Sequence, residues 1–323
     1  MSVGKLLSVI VPLFNVQDYV QKAAESLSSQ AFDGLEIVAV DDGSTDDSLA
    51  VFLENLSGIN AAIIRQENAG LSAARNAGIN AATGQYILFL DSDDYLLPNA
   101  IKNICGLLTS QQPDIIYGRF LRWNPQKGFW GCKPYEWQPP SDRKRRTEYI
   151  LDGLPEHSWN AFRYICRRDF ILENNLFFEH GLLCEDVPWT LELLEKAEAI
   201  AFLPEPFYAY FIRRPNSIMN TKNPKRLLDL NDIVYKLLQK YSDRPPICRQ
   251  LINLSFLQIN EYCEFDKKYQ KLIYQSYKKL LPLYRLSAKK IHKISSICNN
   301  ALLFYLQSLA LYIVKLVVRK IRE

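Results

Sequence analysis

The chain has 323 residues, of which 48% are hydrophobic and 23% charged, and this balance excludes a disordered chain. Its length suits one large domain, or a main domain with a smaller appendage. The net charge of +4 hides an asymmetry, because residues 267–323 carry 13 basic residues and one acidic residue, whereas the rest of the chain is net acidic. Such a basic tail favours an anionic partner, either lipid or nucleic acid.

Cysteine usage and the N-terminal segment indicate a reduced, cytosolic protein. The seven cysteines include no C-x-x-C pair, so neither a disulfide framework nor a zinc site is indicated. The three histidines are also too far apart in the sequence to suggest a zinc site. The segment MSVGKLLSVIVPLFN lacks the long apolar stretch and cleavage site of a signal peptide and instead predicts a first strand.

Through about residue 120, short β-rich runs alternate with helical patterns. This alternation predicts an α/β fold with right-handed βαβ units, a mostly parallel sheet and helices on both faces. The predicted strands are residues 6–12, 35–40, 61–65, 86–90 and 115–120. The predicted helices between them are residues 18–30, 47–56, 71–82 and 99–110.

The second half of the chain is less regular. Residues 121–146 are aromatic and proline-rich, which predicts a loop over the edge of the sheet. Helical patterns resume at Glu148, Arg168 and Val187, followed by two short apolar runs at 200–203 and 207–211. Beyond Pro224 nearly the whole chain is predicted to be helical.

The end of the second predicted strand, VDDGSTD, carries the acidic doublet Asp41 and Asp42. Ligands of open α/β sheets bind beyond the carboxyl ends of the strands, so polar residues there are candidates for a site. A capped turn explains one carboxylate but leaves the doublet unexplained. A carboxylate at this position can accept a hydrogen bond from a base N–H or a ribose hydroxyl.

The fourth predicted strand ends in DSDD, residues 91–94, with three carboxylates in four positions. At a partly buried strand end, each carboxylate raises the pKa of its neighbours, so a simple capped turn is a costly arrangement. A hard divalent cation prefers oxygen ligands and binds substrate phosphates as well. The crowding therefore predicts a site for Mg²⁺ or Mn²⁺ and a diphosphate.

Three further segments each allow a structural and a functional interpretation. Within ENAGLSAARNAG, the small residues predict close helix packing, and Arg75 either packs or orders a carboxylate or phosphate. In CED, Glu185 and Asp186 either cap a helix or provide a general base. In YFIRRPNS, Arg213 and Arg214 are either a solvated pair or a phosphate-binding pair.

In this order and spacing, the motifs LSVIVPLFN, VDDGSTD, ENAGLSAARNAG, LDSDD, CED and YAYFIRRPNSI resemble those of the family 2 inverting glycosyltransferases of bacterial capsule, exopolysaccharide and O-antigen synthesis. The resemblance covers roughly residues 6–218. It implies a GT-A fold, a nucleotide-diphosphate sugar donor, UDP as the usual carrier, and Mn²⁺ or Mg²⁺. It also implies inversion by one in-line displacement. One departure is Phe14, where the family more often has Tyr.

The residues and the resemblance together define a set of candidate site residues. Asp186 is the expected catalytic base, with Glu185 beside it. Metal binding is expected at Asp93, Asp91 and Asp94. Donor binding is expected at Pro12, Asn15, Asp41, Asp42, Arg75, Asp91, Ser92, Arg213, Arg214 and Ser217. Residues 1–222 would form the catalytic domain, and residues 223–323 a helical, basic region for membrane association or oligomerisation.

The segment 301–318 approaches the length of a membrane span, but Gln307, Ser308 and Lys315 interrupt it. A helix lying on an anionic membrane surface fits better than a span, and packing on the protein itself is the alternative. The expected location is cytoplasmic and peripheral, on the inner face of the cell membrane. A lipid-linked oligosaccharide or glycan acceptor would be presented there; dimerisation is left open.

Three other classes of function are less consistent with the sequence. A nucleotidyltransferase often has a glycine-rich, basic loop after the first strand, whereas this strand exits into FNVQDYV. A dehydrogenase needs G-x-G-x-x-G at the same place, which is missing. A non-enzymatic protein that binds nucleic acid through the basic tail leaves DSDD and CED unexplained, so no nucleic-acid partner is expected.

Overall fold

The computed structural model describes residues 4–131, 135–154, 158–212 and 223–257, together with short pieces between 265 and 283. Two compact units are present. One comprises Met1–Thr147 and Ser158–Pro215, and the other Glu148–His157 and Asn216–Glu323. The predicted division at residues 222 and 223 stays a prediction, and the segment from Glu148 groups with the C-terminal unit.

The first half of the sheet follows the predicted alternation of strands and helices. Its elements are β1 (Leu7–Leu13), α1 (Val20–Ser28), β2 (Leu35–Asp41), α2 (Ser48–Glu54), β3 (Ala61–Arg65), α3 (Leu71–Ala81) and β4 (Tyr86–Phe89). Strands β1 to β4 pair in parallel in the order β3-β2-β1-β4. Their carboxyl ends therefore lie on one edge, which we call the rim.

The second half of the sheet mixes strand directions. Its elements are β5 (Tyr95–Leu96), α4 (Ala100–Gln111), β6 (Ile115–Asn124), β7 (Gly128–Trp130), α5 (Arg143–Glu148), β8 (Tyr164–Arg167), α6 (Arg168–Glu173), α7 (Asp186–Lys196) and β9 (Ile200–Phe211). The sheet order is β3-β2-β1-β4-β8-β6-β9-β5, with β7 paired to β6. Strand β8 is antiparallel to β4 and β6, whereas β6 and β9 are parallel. The predicted α/β fold is confirmed.

One local prediction in this half is wrong. Residues 121–124 and 128–130 form the end of β6 and its hairpin partner β7 rather than a loop. The turn between them is possible because Gly128 adopts a φ of 70°, which glycine reaches without strain. The two apolar runs near residues 200 and 210 are one strand, β9, because register shifts beside Gly118 and Arg119 of β6 accommodate its prolines.

The core of this unit lies on both faces of the sheet. On one face, Leu7, Val9, Val11 and Leu13 of β1 are fully buried in one cluster with residues of α1, α2 and α4. Burial of each such side chain stabilises the fold by about 1.5–3 kcal/mol. Helix α3 packs on β1 and β2 so closely that a Cβ at Gly78 would lie 2.3 Å from Ile10 Cγ2. The small residues of the 67–84 segment serve this close packing.

The C-terminal unit contains α8 (Pro224–Lys240) and α9 (Pro245–Leu257), which pack against each other. Asn223 caps α8 by accepting a hydrogen bond from Lys225 N at 3.0 Å, and Pro224 begins the helix. Within the described residues, no helix is both long and apolar enough to cross a membrane. The predicted surface helix at residues 301–318 lies outside the part of the chain that the structure describes.

Candidate active site

A buried arginine joins the two halves of the sheet at the rim. Arg75 of α3 is 1% exposed and donates to Asp91 at 2.9 Å, and to Glu185 and Asp186 at 2.8 Å each. Burial alone would lower the pKa of Arg75, but the charges of Asp186, Asp91 and Glu185 outweigh it and raise that pKa. The guanidinium therefore stays charged and orders three carboxylates that lie far apart in the sequence.

The acidic pair of CED lies at the start of α7. Cys184 has a φ of 65°, and this left-handed turn directly precedes Glu185 and Asp186. Asp186 uses one oxygen for Arg75, and its other oxygen accepts from Ala161 N at 3.2 Å. The side chain of Asp186 is 19% exposed and that of Glu185 10%, so Asp186 is the more accessible acid.

Burial changes the protonation of this pair. It raises the pKa of Glu185 to about 7, and the charge of Asp186 adds to the rise while Arg75 opposes it. Burial also raises the pKa of Asp186, against the opposing effect of Arg75. A carboxylate with a raised pKa is a better proton acceptor near neutral pH than an ordinary aspartate.

Asn76 was not among the predicted site residues, although it stands beside Arg75 in the motif. Its side-chain amide donates to Phe178 O at 2.8 Å and accepts from Phe178 N at 2.9 Å. The Phe178 ring stacks on Trp189 of α7 at 4.7 Å and lies 5.2 Å from the Arg75 guanidinium carbon. Asn76 thus fixes the segment that leads to CED. The sequence feature that could have indicated Asn76 is its position as a polar residue among the alanines of this helix.

The three carboxylates of DSDD have different surroundings. Asp91 is paired with Arg75, and Asp93 is partly buried. Asp94 is buried, and its two oxygens accept from the Tyr208 hydroxyl at 2.8 Å and from Phe211 N at 2.7 Å. Burial and the charges of Asp93 and Asp91 raise the pKa of Asp94 well above its usual range. Asp94 therefore attaches β9 to this loop.

Electrostatic crowding alone consequently does not demand a cation. Arg75 compensates Asp91, and hydrogen bonds from β9 satisfy Asp94. Throughout the described ranges, no group of three or more potential ligands is arranged to hold a metal. The expectation that a cation and a diphosphate explain the crowding of DSDD is thus replaced by a partly internal explanation, and any metal binding rests on the chemistry of Asp91 and Asp93.

The carboxylates of VDDGSTD hold backbone at the rim. Asp42 is 3% exposed and accepts from Gln66 Nε2 at 2.7 Å and from Ala69 N and Gly70 N at 2.9 Å. Asp41 accepts from Ser44 N at 3.0 Å. A carboxylate offers about four acceptor positions, so Asp42 retains capacity for roughly one more donor, such as a base N–H.

The first strand places Pro12 and Asn15 at its carboxyl end, next to the rim. Pro12 is buried within β1, and Asn15 lies just beyond that strand with a φ of 50°. The side-chain oxygen of Asn15 accepts from Thr45 N at 2.9 Å, which joins the first two rim loops.

Ser92 is buried within DSDD. The predicted phosphate-binding residues Arg213, Arg214 and Ser217 lie outside the described residues.

The fold matches solved structures of Staphylococcus aureus TarS. Staphylococcus aureus TarS, residues 1–349, in complex with UDP-GlcNAc superimposes with a TM-score of 0.65 at 21% identity, covering 87% of this chain and 81% of that one. The chain has the GT-A class of fold.

The sequence comparisons give the family. The model for glycosyl transferase family 2 matches residues 8–169. The uncharacterized glycosyltransferase YibD of Escherichia coli is 30% identical over 257 residues, covering 74% of this chain and 72% of YibD. The candidate glycosyltransferase EpsH of Bacillus subtilis is 43% identical over 274 residues, covering 81% of this chain and 72% of EpsH. The chain belongs to glycosyltransferase family 2.

Proposed function

We propose that the protein transfers a sugar from a nucleotide-diphosphate donor to an acceptor hydroxyl with inversion at the anomeric carbon. The observation that carries this proposal is the Arg75 cluster, which brings Asp91 of the DSDD motif and Asp186 of the CED motif to the same guanidinium. One motif is expected to bind the donor and the other to activate the acceptor. Family membership favours this function over nucleotidyl transfer.

In the proposed mechanism, Asp186 is the general base. Hydrogen bonds from Arg75 and Ala161 N fix its carboxylate, and its side chain retains an accessible surface. The acceptor hydroxyl loses its proton to Asp186 as its oxygen bonds to the anomeric carbon. The bond from that carbon to the diphosphate oxygen breaks, and the diphosphate leaves with the electron pair. A single displacement of this kind inverts the anomeric configuration.

Donor binding is proposed along the rim of β1, β2 and β4. Asp42 would accept a hydrogen bond from the nucleobase with its remaining acceptor position. Pro12, Asn15 and Asp41 would border the same site, as the resemblance implies. UDP is the proposed carrier, and a TarS structure described as a complex with UDP-GlcNAc supports that choice.

A divalent cation fits the donor set of the DSDD loop. Asp93 and Asp91 lie in one loop. The carboxylate of Asp93 and the second oxygen of Asp91 would supply hard oxygen ligands. Mg²⁺ characteristically binds to one or two carboxylates and takes its other ligands from substrate phosphates and water, so a site without three protein ligands is suitable. When bound, Mg²⁺ or Mn²⁺ would neutralise charge that develops on the leaving diphosphate.

The acceptor and location are proposed from the family and the charge of the tail. The resemblance implies a lipid-linked or polymeric glycan acceptor, and the 13 basic residues after residue 266 suit an anionic membrane. We therefore propose peripheral attachment to the inner face of the cell membrane, with the acceptor presented there. Homodimerisation is a further proposal for the C-terminal region.

A panel of nucleotide sugars with Mn²⁺ tests the function directly. Wild-type protein should release the nucleoside diphosphate with at least one donor, by transfer or by slow hydrolysis. Asp186→Asn should reduce the rate by at least about 100-fold, the usual scale of general-base catalysis. Asp33→Asn, an exposed aspartate of the same unit, is the matched control and should keep the wild-type rate. Transfer by Asp186→Asn at the wild-type rate would contradict the assignment of the base.

A further inference from the structure

Two tyrosines of β9 face the DSDD loop and differ in how their hydroxyls are used. Tyr208 and Tyr210 are two residues apart in a strand, so their side chains lie on the same face. The Tyr208 hydroxyl donates to Asp94 at 2.8 Å and accepts from Asp91 N at 3.1 Å. The Tyr210 hydroxyl has no hydrogen-bond partner among the described residues, and its side chain is only partly buried.

Ring contacts fix the position of Tyr210 between the two acidic motifs. Phe162 stacks on Tyr208 at 4.1 Å between ring centroids and lies 5.5 Å from Tyr210. The residue before Phe162 is Ala161, whose N–H holds Asp186 at 3.2 Å. Tyr210 therefore stands beside the turn that holds the proposed base, and next to Phe211, whose N–H holds Asp94 at 2.7 Å.

The electrostatic surroundings agree with that position. Burial raises the pKa of Tyr210, and the charges of Asp94, Asp91, Asp93 and Asp186 raise it further. A phenol is protonated at neutral pH even without this rise, so the Tyr210 hydroxyl can donate a hydrogen bond. A donor beside the turn that holds Asp186, and beside the strand residue that holds Asp94, lies close to where the sugar undergoing transfer has to be held.

We propose that the Tyr210 hydroxyl donates a hydrogen bond to the sugar of the nucleotide-sugar donor and so positions that sugar between Asp91 and Asp186. The inference rests on the proposed function and adds a residue that reads the sugar rather than the nucleotide. It separates the two tyrosines: Tyr208 maintains the DSDD loop, whereas Tyr210 contacts substrate.

The test compares two ligands on one variant. Tyr210→Phe keeps the ring that packs on Phe162 and removes only the hydroxyl, and Tyr269→Phe in the C-terminal unit is the matched control. Calorimetric titration with Mn²⁺ would measure binding of UDP and of UDP-glucose, UDP-galactose or UDP-GlcNAc, whichever the wild type binds most tightly. Thermal melting of each variant checks the fold.

The expected result is a selective loss. Tyr210→Phe should weaken binding of the UDP-sugar roughly 10-fold, the usual effect of one lost hydrogen bond, and leave UDP binding unchanged. Tyr269→Phe should change neither affinity. Equal affinity of Tyr210→Phe and wild type for the UDP-sugar, or an equal weakening of UDP, would overturn the inference alone. A wild type that binds neither ligand would overturn the proposed function and this inference together.

Discussion

The two halves of the sheet are built differently, and the proposed active site needs both. Strands β1 to β4 are parallel, joined in sequence by short helices, and they supply Asp42 and Asp91 at the rim. Strands β6, β8 and β9 mix directions, and the chain between β8 and β9 supplies Asp186. In the proposed mechanism the first half binds the nucleotide, whereas the second half brings the proposed base to it. The side chains of Arg75 and Asp94 are among those that cross between them.

The largest effects on stability and on sugar transfer are expected at Arg75, whose charge connects the first half of the sheet to the second. Arg75→Met would leave three partly or fully buried carboxylates without their cation, so we expect destabilisation by about 3–5 kcal/mol and loss of transfer. Denaturant unfolding and the donor panel measure the two effects. Arg65→Met removes an exposed arginine of β3 and should leave both unchanged. Wild-type stability of Arg75→Met would contradict the role of Arg75 in joining the halves.

A second prediction concerns how the free energy of unfolding depends on pH through Glu185, which lies in the second half. Burial raises the pKa of Glu185 from its ordinary value of 4.5 to about 7 in the folded protein. The folded state therefore binds the proton of Glu185 more tightly than the unfolded state does. The resulting stabilisation of the fold is complete below pH 4.5 and is lost as the pH rises through 7. The loss is about 3 kcal/mol at 1.36 kcal/mol per pKa unit.

Unfolding experiments from pH 4.5 to 7.5 without divalent cations test this linkage. Glu185→Gln should flatten the decline in the free energy of unfolding, because glutamine does not titrate. Glu54→Gln, at an exposed position of α2, should retain the wild-type slope. If Glu185→Gln and wild type declined in parallel, the buried, protonated state of Glu185 would be wrong.

The smallest effect is expected at the backbone turn before CED. Cys184 has a φ of 65°, a conformation that costs a residue with a Cβ about 1–2 kcal/mol and glycine nearly nothing. This relief offsets the greater chain entropy of glycine, so Cys184→Gly should change stability by less than about 0.5 kcal/mol. Cys105→Gly, within α4, is the matched control and should destabilise by about 1 kcal/mol. Equal losses of stability in Cys184→Gly and Cys105→Gly would contradict the claim that the left-handed backbone at Cys184 determines the effect.

The sequence predicted the first half well because its signals are local. The apolar runs of β1 and β2 and the small residues around Gly78 depend on neighbours a few positions away, and the predicted bounds differ from the observed ones by one or two residues at most strands. The acidic strand ends likewise follow from chain order, since carboxyl ends of parallel strands meet at one edge.

The second half depends on long-range pairing that no short window contains. Strand β8 was not predicted, because the four residues Tyr164–Arg167 carry no alternation of their own and are defined by pairing with β4 and β6. The contact of Arg75 with Asp186 spans 111 positions in the sequence. The hydrogen-bond partners of Asp94 on β9 could not be predicted from the sequence either. For that reason a cation was expected to explain the whole DSDD motif.

A double-mutant cycle between Arg75 and Asp186 tests most directly whether the two halves form one site. Unfolding free energies of Arg75→Met, Asp186→Asn and the double variant would be measured at pH 7.5. Because Asp186→Asn removes one of the uncompensated charges left by Arg75→Met, we expect the double variant to be more stable than the sum of the single effects by about 1–3 kcal/mol. Additivity within about 0.5 kcal/mol would contradict the account, since residues without mutual contact behave in that way.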